Sequence, residues 1–238
     1  MNRGGLGGIL LLFAVLAVAC VALVAVSDEA EATIVGEPLP SWGNTWYIFQ
    51  DTVARDEVIR LDGDIRVVSP YTLSLDGCIV IFNGTYDGDN GINVDWGSLL
   101  YMNDTSTRRT QVRVNASSSD WDFSIYGEAY IKNSDMHNLY NGVRNYGYLW
   151  MEGSTLDSSR YGISSFSDFH CGNSTIKASV IPGTGYTEVF GIFANDCDAS
   201  LHNLKMYVDG DMNFTYNSSS YYHDAVVFGI YAYNVDMG

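Results

Sequence analysis

Ile131-Lys-Asn-Ser-Asp-Met136 recurs as Met151-Glu-Gly-Ser-Thr-Leu156, Cys171-Gly-Asn-Ser-Thr-Ile176 and Leu201-His-Asn-Leu-Lys-Met206, at steps of 20, 20 and 30 residues. A second block precedes the later copies by nine or ten residues, as Gly142-Val143, Gly162-Ile163 and Gly191-Ile192. Gly91-Ile92 and Gly229-Ile230 extend it in both directions, and Phe123 fills the same slot without the glycine. A chain that returns to one residue type at each repeat is built of stacked units, and each unit buries its apolar face against its neighbours. Two apolar columns are expected. The first is Ile92, Phe123, Val143, Ile163, Ile192 and Ile230; the second is Leu100, Ile131, Met151, Cys171 and Leu201.

Within each copy the apolar residues skip one position, as in Ala129/Ile131, Leu149/Met151, Phe169/Cys171 and Ala199/Leu201. A period of two is the mark of a strand, and the spacing leaves no room for an amphipathic helix of about ten residues. Each copy therefore reads as one coil of several short strands, stacked about 4.8 Å from the next. The expected fold class is all-β, a parallel β-helix whose crossovers turn right-handed. Residues 1–32 read as a signal peptide or membrane anchor, 33–55 as a linker and N-terminal cap, and 56–238 as the β-helix. Within this scheme Leu61 to Leu75 is the opening coil, and Trp42 to Gln50 covers its open end. Longer steps mark loop insertions at 104–120, 180–188 and 209–224. Asn133, Asn173 and Asn203 share one slot, with Gly153 in the gap. Asparagine tolerates left-handed turns and its amides can bond along a stack, so this slot reads as a structural ladder. A last coil starts at Phe228, and its second strand is expected at about 238 or 239, at the end of the chain. The end therefore reads as a truncated product, with an open docking edge as the alternative.

These Gly-Ile/Val and Asn-Ser-Thr-Ile repeats resemble those of right-handed parallel β-helix proteins of the pectin-lyase-like superfamily. They look most like its secreted microbial surface members, archaeal ones included. The resemblance spans roughly residues 56–238. Many proteins of that superfamily cleave acidic polysaccharides: the lyases pair Asp-bound calcium with an Arg or Lys base, and the hydrolases use clustered Asp. This chain departs from both patterns. It has no adjacent Asp-Asp and no Gly-His-Gly, and Arg144 and Arg160 have no aligned acidic partner. Lys132 and Glu152 fall side by side on adjacent coils and read as a cross-strand ion pair.

Ile9 to Val26 is an unbroken apolar run of 18 residues behind Arg3, followed by Ala30-x-Ala32. This is the pattern of a cleaved secretory leader, with an uncleaved anchor as the rival. Both place the rest of the chain outside the cytoplasm, in an extracellular or cell-surface setting. Six Asn-x-Ser/Thr tripeptides, at Asn83, Asn103, Asn115, Asn173, Asn213 and Asn217, fit a glycosylated surface protein. Cys78, Cys171 and Cys197 remain after the leader, an odd number, so at least one thiol is free or paired outside the chain. With 28 acidic against 12 basic residues the net charge is −16, which excludes nucleic acid as a default partner and suits solubility in salt water.

The most chemically suggestive feature is aromatic. Tyr126, Tyr146 and Phe166, with Tyr233 two coils on, face outward from one strand; Tyr130, Trp150 and His170 face outward from the next. Such ladders offer flat faces for sugar rings, although aromatic stacking also stabilises a sheet by itself. No cofactor is implied. Calcium is the one metal with candidate ligands, Asp87 and Asp89 in Asp87-Gly-Asp-Asn-Gly91, where turn chemistry explains the residues equally well. His137, His170, His202 and His223 occupy different slots and are not expected to form a ligand set. The expected function is that of a non-enzymatic extracellular or cell-surface protein for adhesion, envelope structure or glycan binding. Its partners are polysaccharides, glycans or other envelope proteins; membrane contact comes only through the N-terminal segment, if that is retained. The alternative is a polysaccharide lyase or glycoside hydrolase relative whose active site is incomplete or missing. A β-helix module of a larger protein is the third reading.

Overall fold

The computed structural model describes residues 33–41, 44–115, 119–179, 188–209 and 226–237. The N-terminal apolar run, Trp42, Asn213, Asn217 and His223 lie outside these residues, as do 180–187 and 210–225, which make up most of the second and third expected insertions. Among the described residues the protein is all-β, with 23 strands and no helix.

The chain visits three faces in rotation. Face I holds Trp46–Ile48, Ile65–Val67, Gly91–Val94, Trp121–Ile125, Tyr161–Ser165, Glu188–Asn195 and Val226–Tyr233. Face II holds Thr52–Arg55, Thr72–Asp76, Leu99–Asn103, Glu128–Lys132, Tyr148–Glu152, Phe169–Gly172, Asp198–His202 and Asp236–Met237. Face III holds Val58–Leu61, Ile79–Phe82, Gln111–Val114, Thr155–Ser158, Thr175–Ser179 and Lys205–Asp209. The 11-residue strand Asp135–Asn145 serves two faces, its start continuing face III and its end face I. It changes face where Asn138 and Gly142 take positive φ, at 63° and 68°. Each strand pairs in parallel with the same face of the neighbouring coil; Thr33–Val35 instead runs antiparallel along Thr52–Arg55. The result is a solenoid-like stack of parallel strands in a nine-stranded and a fourteen-stranded sheet.

The core is made of columns, because stacked coils place like residues in like slots. On face I, Ile92, Phe123, Val143, Ile163 and Ile192 are in register and fully buried, and the column runs back through Ile65 to Trp46. Its last expected member, Ile230, is in register but 41% exposed. On face II, Ile131, Met151, Cys171 and Leu201 stack as expected, but their upstream neighbour is Met102 and not Leu100. Leu100 belongs to the adjacent column with Leu73, Ala129, Leu149 and Phe169. Face III contributes Ile59, Val80, Val112, Met136, Leu156 and Ile176. Each fully buried side chain of this size contributes about 1.5–3 kcal/mol.

Three expectations about organisation change. The winding begins at Trp46, before the opening coil expected at Leu61, since Trp46–Ile48 already pairs with Ile65–Val67. The segment 104–120 is not simply an inserted loop, because Gln111–Val114 is the face III strand of its coil. Two of its arginines brace the turns there: Arg109 makes a two-pronged bond to Asp135 at 3.0 Å and reaches the Gly153 carbonyl at 2.9 Å, and Arg108 donates to the carbonyl of Glu57 at 3.3 Å. The strand expected at about 238 starts at Asp236, opposite Asp198.

The asparagine slot forms the corner between faces II and III. Asn133, Gly153, Asn173 and Asn203 all have positive φ, between 47° and 61°. Asn203 donates its amide to Asn173 Oδ1 at 2.6 Å, whereas Asn133 donates to the carboxylate of Asp104. Ser134, Ser154 and Ser174, behind the first three of these residues, form a second, buried ladder, and Leu204 takes the slot behind Asn203. Ser134 N–H donates to Ser154 Oγ and Ser154 N–H to Ser174 Oγ, each at 3.1 Å. Buried backbone donors at the corner are thereby satisfied, as a packed interior requires.

Cys78, Cys171 and Cys197 are buried and unpaired with one another. Burial pushes the Cys78 thiol up to about 11 and the Cys171 thiol to about 12. Native protein at pH 8 is therefore expected to alkylate at these two positions at least about 100-fold more slowly than after denaturation, because the thiolate is the reacting form. Peptide mass spectrometry after timed labelling reads this, and labelling at equal rates in both states would contradict the burial.

Candidate functional site

The turns from face I to face II carry the outward aromatic rings. Each follows the last residue of a face I strand, where the chain must leave the sheet at once. Behind Tyr146 the buried Asn145 locks the turn: its amide donates to Ser165 Oγ at 2.8 Å and to the carbonyls of Ser167 and Asp168 at 3.1 and 3.2 Å. Its oxygen accepts from Gly147 N–H at 3.2 Å. The rings above stack at coil spacing. Tyr126 and Tyr146 lie 5.1 Å apart at 9°, and Tyr146 and Phe166 lie 5.3 Å apart at 5°. All three are exposed, as is Tyr233, which pairs with Asn195 further along.

The sequence reading missed Trp96. It is 77% exposed and stands on the turn between Gly91–Val94 and Leu99–Asn103, which is two residues longer than the corresponding turn at Tyr126. Arg66 holds this turn by its Nε–H, shared between the two carboxylate oxygens of Asp95 at 3.1 and 3.2 Å. Trp96, Tyr126, Tyr146 and Tyr148, with Glu128 and Ser167, enclose a groove of about 420 Å³. Tyr148 also lines a second groove of about 450 Å³ with Trp150, His170, Asp168, Asp198 and Ser200. The two grooves thus share a wall along the leading edge of face II. Flat apolar faces alternate there with carboxylates and hydroxyls, an arrangement suited to a ligand that is apolar on its faces and polar at its edges.

The second expected ladder is present only in part. Tyr130 and Trp150 are neighbours in register, but the rings stack as two pairs, Tyr101 with Tyr130 at 5.2 Å and Trp150 with His170 at 5.5 Å. Tyr130 turns aside to donate its hydroxyl to Glu128 at 2.9 Å. That bond, more than burial, pushes its phenol up to about 12.

The remaining candidates separate. Asp87 accepts from Asp120 N–H at 3.0 Å, and Asp89 accepts from the N–H and hydroxyl of Thr85 at 3.0 and 3.1 Å. The Asp89 carboxylate closes its own loop, and that of Asp87 ties the loop to the segment that leads into Trp121–Ile125. Of the glycosylation candidates, Asn115 is exposed; Asn83 donates its amide to Asp62 at 2.8 Å and Asn103 to Asp76 at 3.1 Å. Asn173 is exposed and sits in the asparagine corner, donating to Glu152. Arg144 is not without an acidic partner, since it pairs with Asp122 on the neighbouring strand at 2.9 Å. The expected Lys132–Glu152 pair is replaced. The two are adjacent in register, but Glu152 turns toward the next coils and pairs with His170 at 3.1 Å and His202 at 3.6 Å. The histidines do occupy different slots, yet two of them converge on this carboxylate, contrary to expectation. Among the described residues, Glu152, His170 and His202 are the group that could hold a metal ion.

No family model, curated protein or solved structure matches the chain. Its fold and surface define an all-β, solenoid-like protein with an aromatic groove along one edge.

Proposed function

We propose that this chain is a right-handed parallel β-helix of the pectin-lyase-like kind, exported to the cell surface or beyond, which binds glycans along its aromatic edge without cleaving them. The observation that carries the reading is the exposed stack of Tyr126, Tyr146 and Phe166 opening onto the groove of Trp96 and Tyr148. Sugar rings present C–H faces that pack on aromatic planes, and their hydroxyls find acceptors in Glu128, Asp168 and Asp198. The carboxylates in the grooves and the net charge of −16 repel anionic polymers, so the ligand class is a neutral polysaccharide. Attachment to an envelope and glycosylation follow from the leader and the Asn-x-Ser/Thr sites and belong to the same proposal.

The test uses the full-length chain with a panel of neutral and acidic polysaccharides, following tryptophan fluorescence and reducing ends together. Neutral glycans are expected to shift the fluorescence without releasing product. Trp96→Ala and Tyr146→Ala are each expected to weaken binding about 2- to 12-fold, from about 0.5–1.5 kcal/mol per aromatic contact. Binding that ignores both substitutions would remove the groove from the argument. Release of reducing ends or unsaturated products would replace the binding reading by a lyase or hydrolase one.

A further inference from the structure

We infer that Glu152, His170 and His202 form a three-ligand site for a divalent transition-metal ion of the zinc type. The residues stand on three successive face II strands: Glu152 ends Tyr148–Glu152, His202 ends Asp198–His202, and His170 is the second residue of Phe169–Gly172 between them. Glu152 pairs in register with Gly172, and Gly172 with His202. Two strand spacings, about 9.6 Å, therefore separate the backbones of Glu152 and His202. Their side chains meet only because the position between them is bare. A Cβ on Gly172 would lie 2.1 Å from His202 Cε1 and 2.3 Å from Glu152 Oε2. Glycine here makes a floor over which two ligands converge, and His170, two residues before it, closes the third side.

The donor set suits the metal. Two imidazoles and one carboxylate are a zinc set that leaves a fourth position open. Bonds of about 2.0–2.1 Å in a tetrahedron put ligand atoms about 3.4 Å apart. His170 Nε2 lies 3.1 Å and His202 Nε2 3.6 Å from the two Glu152 oxygens, on either side of that value. All three ligand atoms fall within 4.8 Å of one another, so a small turn of the half-exposed His202 ring completes the set. The surrounding shell is also present. Ser200 Oγ lies 3.3 Å from His170 Nδ1, so a proton held there leaves the Nε2 lone pair facing the carboxylate. Asn173, from the asparagine corner, donates to Glu152 and lies 3.3 Å from His202 Nε2. The site stands on its own geometry and does not depend on glycan binding.

The test titrates the untagged full-length chain with Zn²⁺ in competition with a chelator, and separately with Co²⁺, whose visible absorption reports coordination geometry. One equivalent is expected to bind, with a four-coordinate Co²⁺ spectrum. His170→Ala and His202→Ala are each expected to weaken binding by at least about 10- to 100-fold, the loss that outer-shell changes already cause. Gly172→Ala removes no ligand and is expected to weaken it comparably; circular dichroism verifies the fold of each variant. Because His170 stacks on Trp150, Cu²⁺ at the site is also expected to quench tryptophan fluorescence in the wild type and not in the E152Q/H170A/H202A variant. The inference is overturned if the wild type takes up no stoichiometric ion. It is equally overturned if the triple variant binds as tightly as the wild type.

Discussion

Gly142→Ala is expected to destabilise the protein by about 3 kcal/mol or more, enough to lower Tm by roughly 6–12 °C in a chain of this size. Gly142 has φ of 68°, in the left-handed region where a side chain is strained. A Cβ there would also lie 1.9 Å from the Tyr161 carbonyl oxygen and 2.3 Å from that of Gly162. Both oxygens belong to the backbone of the next coil. They cannot withdraw without breaking the parallel pairing of Val143 with Ile163, so strain and lost hydrogen bonds add. The same contact recurs along the stack: Cβ atoms at Gly91, Gly162 and Gly191 would approach the oxygens of Asp122, Gly191 and Gly229 to 2.3–2.5 Å. This is the physical content of the Gly-Ile/Val repeat, a corner at which successive coils approach too closely for a side chain. Gly229 supplies the control, since no described atom lies within 4 Å of its Cβ position. Gly229→Ala is expected to change stability by no more than about 0.5 kcal/mol. Thermal melts of the two variants side by side decide the matter, and equal shifts would refute the close-approach account.

Trp121→Ala is expected to cost about 3–5 kcal/mol. The side chain is fully buried, with its ring 5.6 Å from Phe82 and 5.8 Å from Phe123, and its indole N–H donates to the His137 carbonyl at 2.7 Å. It sits where the pairing between Trp121–Ile125 and Asp135–Asn145 shifts register, so it fills the space that the irregular long strand leaves. Removal opens a cavity that the surrounding strands, fixed by their ladders, cannot close. Trp121→Phe separates the contributions: most of the packing remains while the His137 carbonyl loses its donor, for a cost nearer about 1 kcal/mol. Urea unfolding reads both, with the midpoint falling and the slope unchanged. A midpoint unchanged in Trp121→Ala would mean that the face I column is loosely packed at this level.

How much of this was legible in the chain follows from what a repeat reports. Stacked coils put equal slots at equal places, so the face I column from Ile92 to Ile230 was read correctly down to the register. Leu100 was assigned in place of Met102 because alternation tells inward from outward and cannot separate two inward residues of one strand. The fusion of two strands into Asp135–Asn145 depends on backbone angles at Asn138 and Gly142, and the periodicity does not carry those. Trp96 escaped because it lies in the two extra residues of a turn, where slot alignment fails; that surplus was itself the signal. The convergence of Glu152, His170 and His202 runs diagonally across three coils and depends on the bareness of Gly172. Slots predict where a backbone goes. They do not predict toward which neighbour a side chain leans, and the lost Lys132–Glu152 pair is the same lesson in reverse.

The three-face winding has a consequence for how such a surface changes over time. Every outward position occupies a node of a grid, about 4.8 Å apart along the stack and about 6.6 Å apart, two residues, along a strand. The inward columns fix that grid and do not depend on what is written on it. A histidine, a tyrosine or a carboxylate can be exchanged at one node while its neighbours keep their spacing. Recognition chemistry on this scaffold can therefore be rewritten one residue at a time, with the ruler that spaces it left intact.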